Sequence, residues 1–241
     1  MSHAVGGDLS VVSLDGKDEP RKIDLRVDKA TPRLRDPKLR QGSQAFALVR
    51  AELRTGGPEQ APVLKGALPP PPAPQKRTPA PETFTERVLV PMATVDPGDP
   101  AQQSQAYYGP VADGVGKHAP LVNVVDLHAE RSLTRTKVGL GQMLGQECLL
   151  PRAAAFRASS QTLLVACAGI DRVVELDTRG PDPSRLELRR FEVPAGPLGL
   201  ALDPSGERAV VWSQFAGTVS IIDLAESAQG KVSHVKVSYS P

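Results

Sequence analysis

A chain of 241 residues with a hydrophobic share of 40% can bury a core, as one large domain or two small ones. Its 29 basic residues nearly balance its 27 acidic ones, so no global field draws it to nucleic acid or to an anionic membrane. No apolar run approaches the roughly 20 residues of a membrane-spanning helix, and the 24 prolines and 21 glycines point to many turns and an all-β chain.

In chain order, the first element is DLSVVSL at Asp8 to Leu14, followed by KIDLRV. Both read as strands, and residues 8–28 are expected to form half a sheet unit. The opening MSHAVGGDLS lacks the basic and apolar segments of a secretion signal, and the pattern is already running at Asp8. A longer gene product is therefore expected. The segment from Lys17 to Arg40 interleaves Lys and Arg with Asp and Glu and has no aromatic platform, which marks a solvated surface.

Residues 44–140 supply AFALVRA, RVLVPMATV, LVNVVDL and SLTRTKV, four strands separated by two long inserts. The insert at residues 54–83 is proline-rich and is expected to be an extended, protruding loop. It includes a PxxPxK spacing at Pro71, Pro74 and Lys76, read as part of a solvated spacer. The insert at residues 96–120 is rich in Gly, Ala and Gln and holds Tyr107, Tyr108 and His118, a candidate interaction loop.

The two last units declare the repeat. Pro151 to Asp177 aligns without gaps on Pro197 to Asp223 at a constant offset of 46. Each copy runs through a short apolar stretch, a polar turn, a second apolar stretch, a Gly-containing turn and a third stretch closing on aspartate. In the second copy the first turn is Asp203-Pro204-Ser205-Gly206. A fourth strand follows at Leu186 to Val193 and at Val232 to Val237. The second strands, LLVACAG and AVVWSQF, are largely apolar, as expected where both faces are covered by neighbours, whereas the fourth alternates as a strand at a wet rim does.

Four antiparallel strands per 40 to 50 residues, roughly, is the period of a β-propeller blade. The fold class is therefore all-β, with about three and a half blades: residues 8–28 as a half blade, then 44–140, 151–193 and 197–237 as whole blades. A closed propeller needs about four to eight. The expectation is thus a partial or open array, part of a larger propeller or paired with another copy through its open blade edges.

The xVxVxD third strands with SPDG-like turns resemble bacterial YVTN-type propellers and lack the GH and WD signatures of WD40 blades. More narrowly, ECLLPRAAAF, LLVACAGIDRVVELD and VVWSQFAGTVSIIDLA resemble the propeller part of bacterial proteins in which a c-type cytochrome, peroxidase-like di-haem region follows. The resemblance implies an extracytoplasmic, periplasmic or cell-envelope setting and electron transfer for a parent protein. No CxxCH occurs here, so it transfers no haem site, and no cofactor is assigned to these residues.

Catalytic spacing is missing as well. His3, His118, His128 and His234 are scattered and form no HxH, HxxxH or HExxH pattern. There is no GxSxG, P-loop or Rossmann signature, and the glycines of VGLGQMLGQ do not sit between strand and helix. Asp126, Asp177 and Asp223 recur at one blade position and are read as acceptors for backbone N–H groups in the following turn. Cys148 and Cys167 fit either a disulfide that pins the start of a blade or two buried thiols, with an oxidising compartment favouring the bridge. The leading expectation is a non-catalytic propeller scaffold that presents loops to a partner protein or to a downstream cytochrome-like domain. The alternative is the propeller part of a haem-dependent electron-transfer or peroxidase-like protein.

Overall fold

The structure, a computed structural model, describes residues 7–27, 41–43, 45–55, 83–95, 118–134, 148–179, 182–225 and 230–237. Its strands are β1 (Asp8–Val11), β2 (Arg21–Asp24), β3 (Gln41–Ser43), β4 (Val49–Thr55), β5 (Thr83–Val95), β6 (His118–Asp126), β7 (Arg131–Ser132), β8 (Pro151–Arg157), β9 (Thr162–Cys167), β10 (Arg172–Asp177), β11 (Glu187–Glu192), β12 (Pro197–Leu202), β13 (Arg208–Ser213), β14 (Thr218–Asp223) and β15 (Val232–Lys236). Among the described residues the one helical piece is a 3-10 turn at Pro183–Arg185.

Within each sheet the strands form an antiparallel meander of sequence neighbours, except that β3 pairs with β5 rather than with β4. β8 to β11 make one four-stranded sheet and β12 to β15 another. β1 and β2 pair as a two-stranded sheet. The remaining sheet has five strands, β5 to β7 in order with both β3 and β4 along the free edge of β5. These are propeller blades, here named blades two, three and four after the half blade β1–β2.

Three apolar layers hold the blades side by side. Leu9, Ile23, Leu25 and Val27 of the half blade pack on Val90, Met92 and Val125 of blade two. Ala51, Leu89, Val122 and Val124 of blade two meet Leu163, Val165, Cys167 and Val174 of blade three. Leu164, Val173 and Phe191 of blade three meet Ala209, Val211 and Ile222 of blade four. Strand β9, TLLVAC, is buried at all six positions because its alternate side chains serve two layers. Truncating one such side chain, Leu164 for example, costs about 2–5 kcal/mol through lost transfer energy and a residual cavity.

Several strand bounds differ from the sequence reading, for local reasons. The AFALVRA strand sits further along, at Val49–Thr55, and pairs through to Thr83, so strand replaces loop at both margins of the proline-rich insert. His118 to Pro120, read as loop, open β6 opposite Val95. Strand β3 was not expected. It exists because β5 carries Pro91, which has no N–H to donate. The strand beside β5 is interrupted there: β4 pairs up to Leu89 and β3 resumes at Ala93. In blade four the apolar AVVWSQF is covered on one side, so β13 alternates between buried and exposed.

Among the described residues the outer pairing on blade two is β7, Arg131–Ser132, the rest of the expected strand SLTRTKV lying outside them from residue 135 on, and groups beyond β7 complete the pairing. Val124 donates its N–H to Thr134 Oγ1 at 2.7 Å, and Val122 donates to Ser184 Oγ at 2.8 Å, across from the 3-10 turn of blade three. Each buried donor is thereby satisfied without a ladder partner.

Candidate functional site

In a four-stranded meander the turns after strands one and three leave one end of the blade, while the turn after strand two and the chain from the previous blade meet at the other. The connection leaving β4 and the connection leaving β5 therefore emerge at opposite ends of blade two. The second end gathers the distinctive side chains of the molecule.

There the chain approaches β8 through Cys148, Leu149 and Leu150. Cys148 is bonded to Cys167, the last residue of β9, with Cα atoms 5.0 Å apart. Ala168 donates its N–H to the Leu150 carbonyl at 3.1 Å and Gly169 to the Leu149 carbonyl at 2.9 Å. The approach is so close that a Cβ on residue 169 would stand 2.7 Å from the Leu149 Cβ, which is why glycine occupies it. The disulfide and the two hydrogen bonds hold Leu150 at φ 52°, a left-handed backbone that costs a leucine on the order of 1 kcal/mol or more. Leu149 and Leu150 project outward and remain 36% and 39% exposed.

Beside them the break in the strand along β5 throws Phe46 out of the sheet. Its ring stacks under the Arg152 guanidinium, 4.0 Å from the centroid. Arg152 makes no ion pair among the described residues, and its Nε is buried without a hydrogen-bond partner. On blade four, Phe215 extends the same end, 76% exposed and lying on Gly196, whose φ of +73° and bare Cα accommodate the ring. Asp171 braces the blades between these points, accepting the Gly196 N–H at 2.9 Å through its side chain and the Val193 N–H at 3.2 Å through its carbonyl. Among the described residues the result is an end face with apolar side chains and, in Arg152, a cation without an ion-pair partner.

The opposite end is built for structure. Asp126 accepts the N–H groups of His128 and Ala129 at 3.0 Å and faces Arg87 at 3.2 Å. Asp177 accepts the Arg179 N–H at 2.9 Å, and Asp223 accepts that of Ala225 at 3.1 Å. The Ala129 N–H holds the Asp126 carboxyl below its ordinary range against desolvation, and Arg87 and the His128 N–H and charge add to that. At Asp177 burial pushes the carboxyl up, but the Arg179 side chain, its N–H and its charge together hold it below the ordinary value. These three aspartates fasten turns and form no ligand ring.

One buried charge cluster went unforeseen. Glu175 is 2% exposed between blades three and four; its Oε1 accepts from Thr162 Oγ1 at 2.7 Å and its Oε2 from Arg189 Nε at 2.6 Å. Arg157 Nη1 stands 4.0 Å from the same carboxylate while its Nε donates to the Gly206 carbonyl at 2.6 Å. Every charge there is paired within the array, so the cluster is a clasp. The signal was a lone glutamate in the apolar run VVELD.

Of the interaction-loop residues expected from sequence, His118 is exposed at the start of β6, at this same end face. Tyr107 and Tyr108 lie outside the described residues, as does His3. His128 stands in a turn, and His234 Nδ1 lies 2.9 Å from Ser220 Oγ. Among the described residues no three His, Cys, Asp or Glu side chains are placed to share a metal ion. A mainly apolar crevice of about 30 Å³ between blades two and three, lined by Pro91, Leu121, Val165 and Leu176 among others, has room for about one or two water molecules.

No protein-family model and no curated protein matches this chain. Among solved structures it is similar to the hydrazine synthase of Kuenenia stuttgartiensis, with TM-score 0.44 and 16% identity over 58% of this chain and 42% of that one. It is also similar to a periplasmic gluconolactonase of Pseudomonas aeruginosa, with TM-score 0.38 and 13% identity over 62% of this chain and 38% of that one. A Bacteroides fragilis protein provisionally described as a 6-phosphogluconolactonase aligns at TM-score 0.37 and 8% identity over 95% of this chain and 63% of that one. The chain spans less than two thirds of each of these proteins.

Proposed function

We propose that this chain is a non-catalytic propeller scaffold whose disulfide-braced end face binds a protein partner. The observation that carries the reading is the clamped segment before β8: a bridge, two hydrogen bonds and a left-handed Leu150 are all used to hold two leucines out in water. Exposed apolar side chains rimmed by polar residues are the mark of an interaction site, and rigid anchors lose little entropy on binding. With Arg152 unpaired beside them, the complementary partner surface is apolar with a carboxylate near its centre.

A structural disulfide also favours an extracytoplasmic setting, the periplasm or cell envelope, where it would persist. The test is recovery of bound protein from cell-envelope extract by the tagged chain, quantified against a Leu149→Asp, Leu150→Asp variant. The reading expects at least one protein to be retained by the natural chain and lost from the variant while melting temperatures agree within a few degrees. Identical recovery by the two would refute it.

A further inference from the structure

Arg152 stands on a β-bulge, and the repeat shows that a blade does not need an arginine there. Along β8 the register passes from Pro151 opposite Cys167 to Ala153 opposite Ala166, so Arg152 is the extra residue and has no partner on β9. Blade four repeats the irregularity: Pro197 lies opposite Ser213 and Gly199 opposite Trp212, leaving Leu198 as the extra residue, 46 positions after Arg152. Leucine serves the same architecture, so the guanidinium answers to something other than the bulge.

The fold leaves that charge without a counterion. Among the described residues five other arginines are half-buried, Arg87, Arg157, Arg172, Arg189 and Arg190, and each has a carboxylate within 4.0 Å. Arg152 is half-buried as well, yet it makes no ion pair; its guanidinium lies over the Phe46 ring and its Nε is buried with no acceptor. The group is thus held flat on an aromatic face and partly stripped of water, with its terminal amino groups left for an anion. A charge already partly desolvated and fixed in orientation loses less on binding a counterion than a free surface arginine does.

We propose that Arg152 is a binding site for a carboxylate borne on an apolar body. Two terminal N–H groups in one plane match the two oxygens of a carboxylate. Phe46, under the guanidinium, and Leu150 and Leu149, two and three positions before it, are exposed and give apolar contact to whatever bears the acid. The same surroundings disfavour phosphate, whose higher charge demands fuller hydration. In the protein partner proposed above, the ligand is an aspartate or glutamate side chain set among apolar residues; that identification rests on the partner reading, whereas the site itself does not.

Phenylacetate is the probe, with phenylacetamide as its uncharged counterpart and inorganic phosphate as the competing anion, each titrated into the whole natural chain. The readout is the NMR signal of the Arg152 Nε–H group, identified by its absence from Arg152→Leu. That variant places at this bulge the residue that blade four has at the equivalent one, and its folding is checked by its melting transition. The expected result is a saturable shift of the signal by phenylacetate with a Kd of about 1–10 mM, the range open to so small a ligand, and binding at least about ten-fold weaker for phenylacetamide and for phosphate. The Nε–H signals of Arg157 and Arg189 stay in place, and the backbone amides of Leu149 and Leu150 respond in the natural chain but not in Arg152→Leu. No shift by about 50 mM phenylacetate, an equal response to phenylacetamide, tighter binding of phosphate, or the same amide shifts in Arg152→Leu overturns the site. A phenylacetate response beside identical protein recovery by the natural chain and the Leu149→Asp, Leu150→Asp variant keeps the site and removes the partner reading. Differential recovery without the response keeps that reading and overturns the site.

Discussion

Glu175 allows the packing of blades to be tested by one substitution. Its carboxylate is 2% exposed and compensates Arg157 and Arg189, whose side chains are 12% and 32% exposed. Glu175→Ala leaves both guanidinium groups between blades three and four without a counterion and removes the acceptor of the Thr162 hydroxyl, which keeps Ser160 Oγ at 2.7 Å as an alternative partner. Breaking a fully buried pair costs about 3–5 kcal/mol; because Arg189 retains water, about 2–4 kcal/mol is expected here. At roughly 2–4 °C per kcal/mol for a chain of this size, the melting temperature should fall by about 4–16 °C. Blade four carries Ile221 and Ser233 at the places equivalent to Glu175 and Arg189, which suggests the replacements for those two residues. Glu175→Ile with Arg189→Ser and Arg157→Leu should recover most of the loss, because replacing a whole buried cluster by apolar groups is often neutral. Urea unfolding followed by circular dichroism measures each variant. A Glu175→Ala loss under 1 kcal/mol, or a triple variant weaker than the single one, would refute the clasp; the thresholds follow from the range just given.

Opening the Cys148–Cys167 bridge, which closes a sequence separation of 19, should cost about 3 kcal/mol in the chain-entropy account and weaken partner binding, read by melting with and without reductant. Mass measurement after alkylation should find no free thiol in folded, unreduced protein. Because Thr55 and Thr83 are register partners, replacing residues 56–82 by a short Gly-Asn turn should leave the melting temperature within a few degrees; a large fall would mean that the segment packs on the blades. The depressed carboxyls of Asp126 and Asp177 bind fewer protons folded than unfolded, so their stabilisation is present above the ordinary aspartate value near pH 4 and is lost as pH falls through the lower folded values. Urea midpoints measured from neutral pH downward should fall below about pH 4, and a midpoint that rises there would contradict the sign.

The blade architecture was legible because it is written locally. The 46-residue offset, the Asp203-Pro204-Ser205-Gly206 turn and the aspartates closing β6, β10 and β14 each depend on neighbours within a few residues. The end face was not legible in that way. Phe46 is exposed because Pro91, 45 positions on, interrupts the strand beside β5, and Leu149 is held by a glycine 20 positions away in a turn of the same blade. Likewise Ser184 completes a hydrogen bond for Val122, and Arg157 reaches Gly206 in the next blade. Such contacts join elements whose sequence patterns are independent, so periodicity alone does not reveal them. The insert at residues 96–120 drew attention by its tyrosines, yet the described part of the site is built mainly by short segments at the starts of β4 and β8.

The most direct test of the binding face is photo-cross-linking in the intact cell. A photoreactive aromatic residue is placed at Leu150 or Phe215 on the braced end, and, as control, at Phe84, which is 58% exposed at the opposite end of blade two. Discrete adducts to a protein partner from Leu150 and Phe215, with none from Phe84, are the expected result. Adducts from Phe84 alone, or equal adducts from all three positions, would contradict the assignment of that end as the binding face.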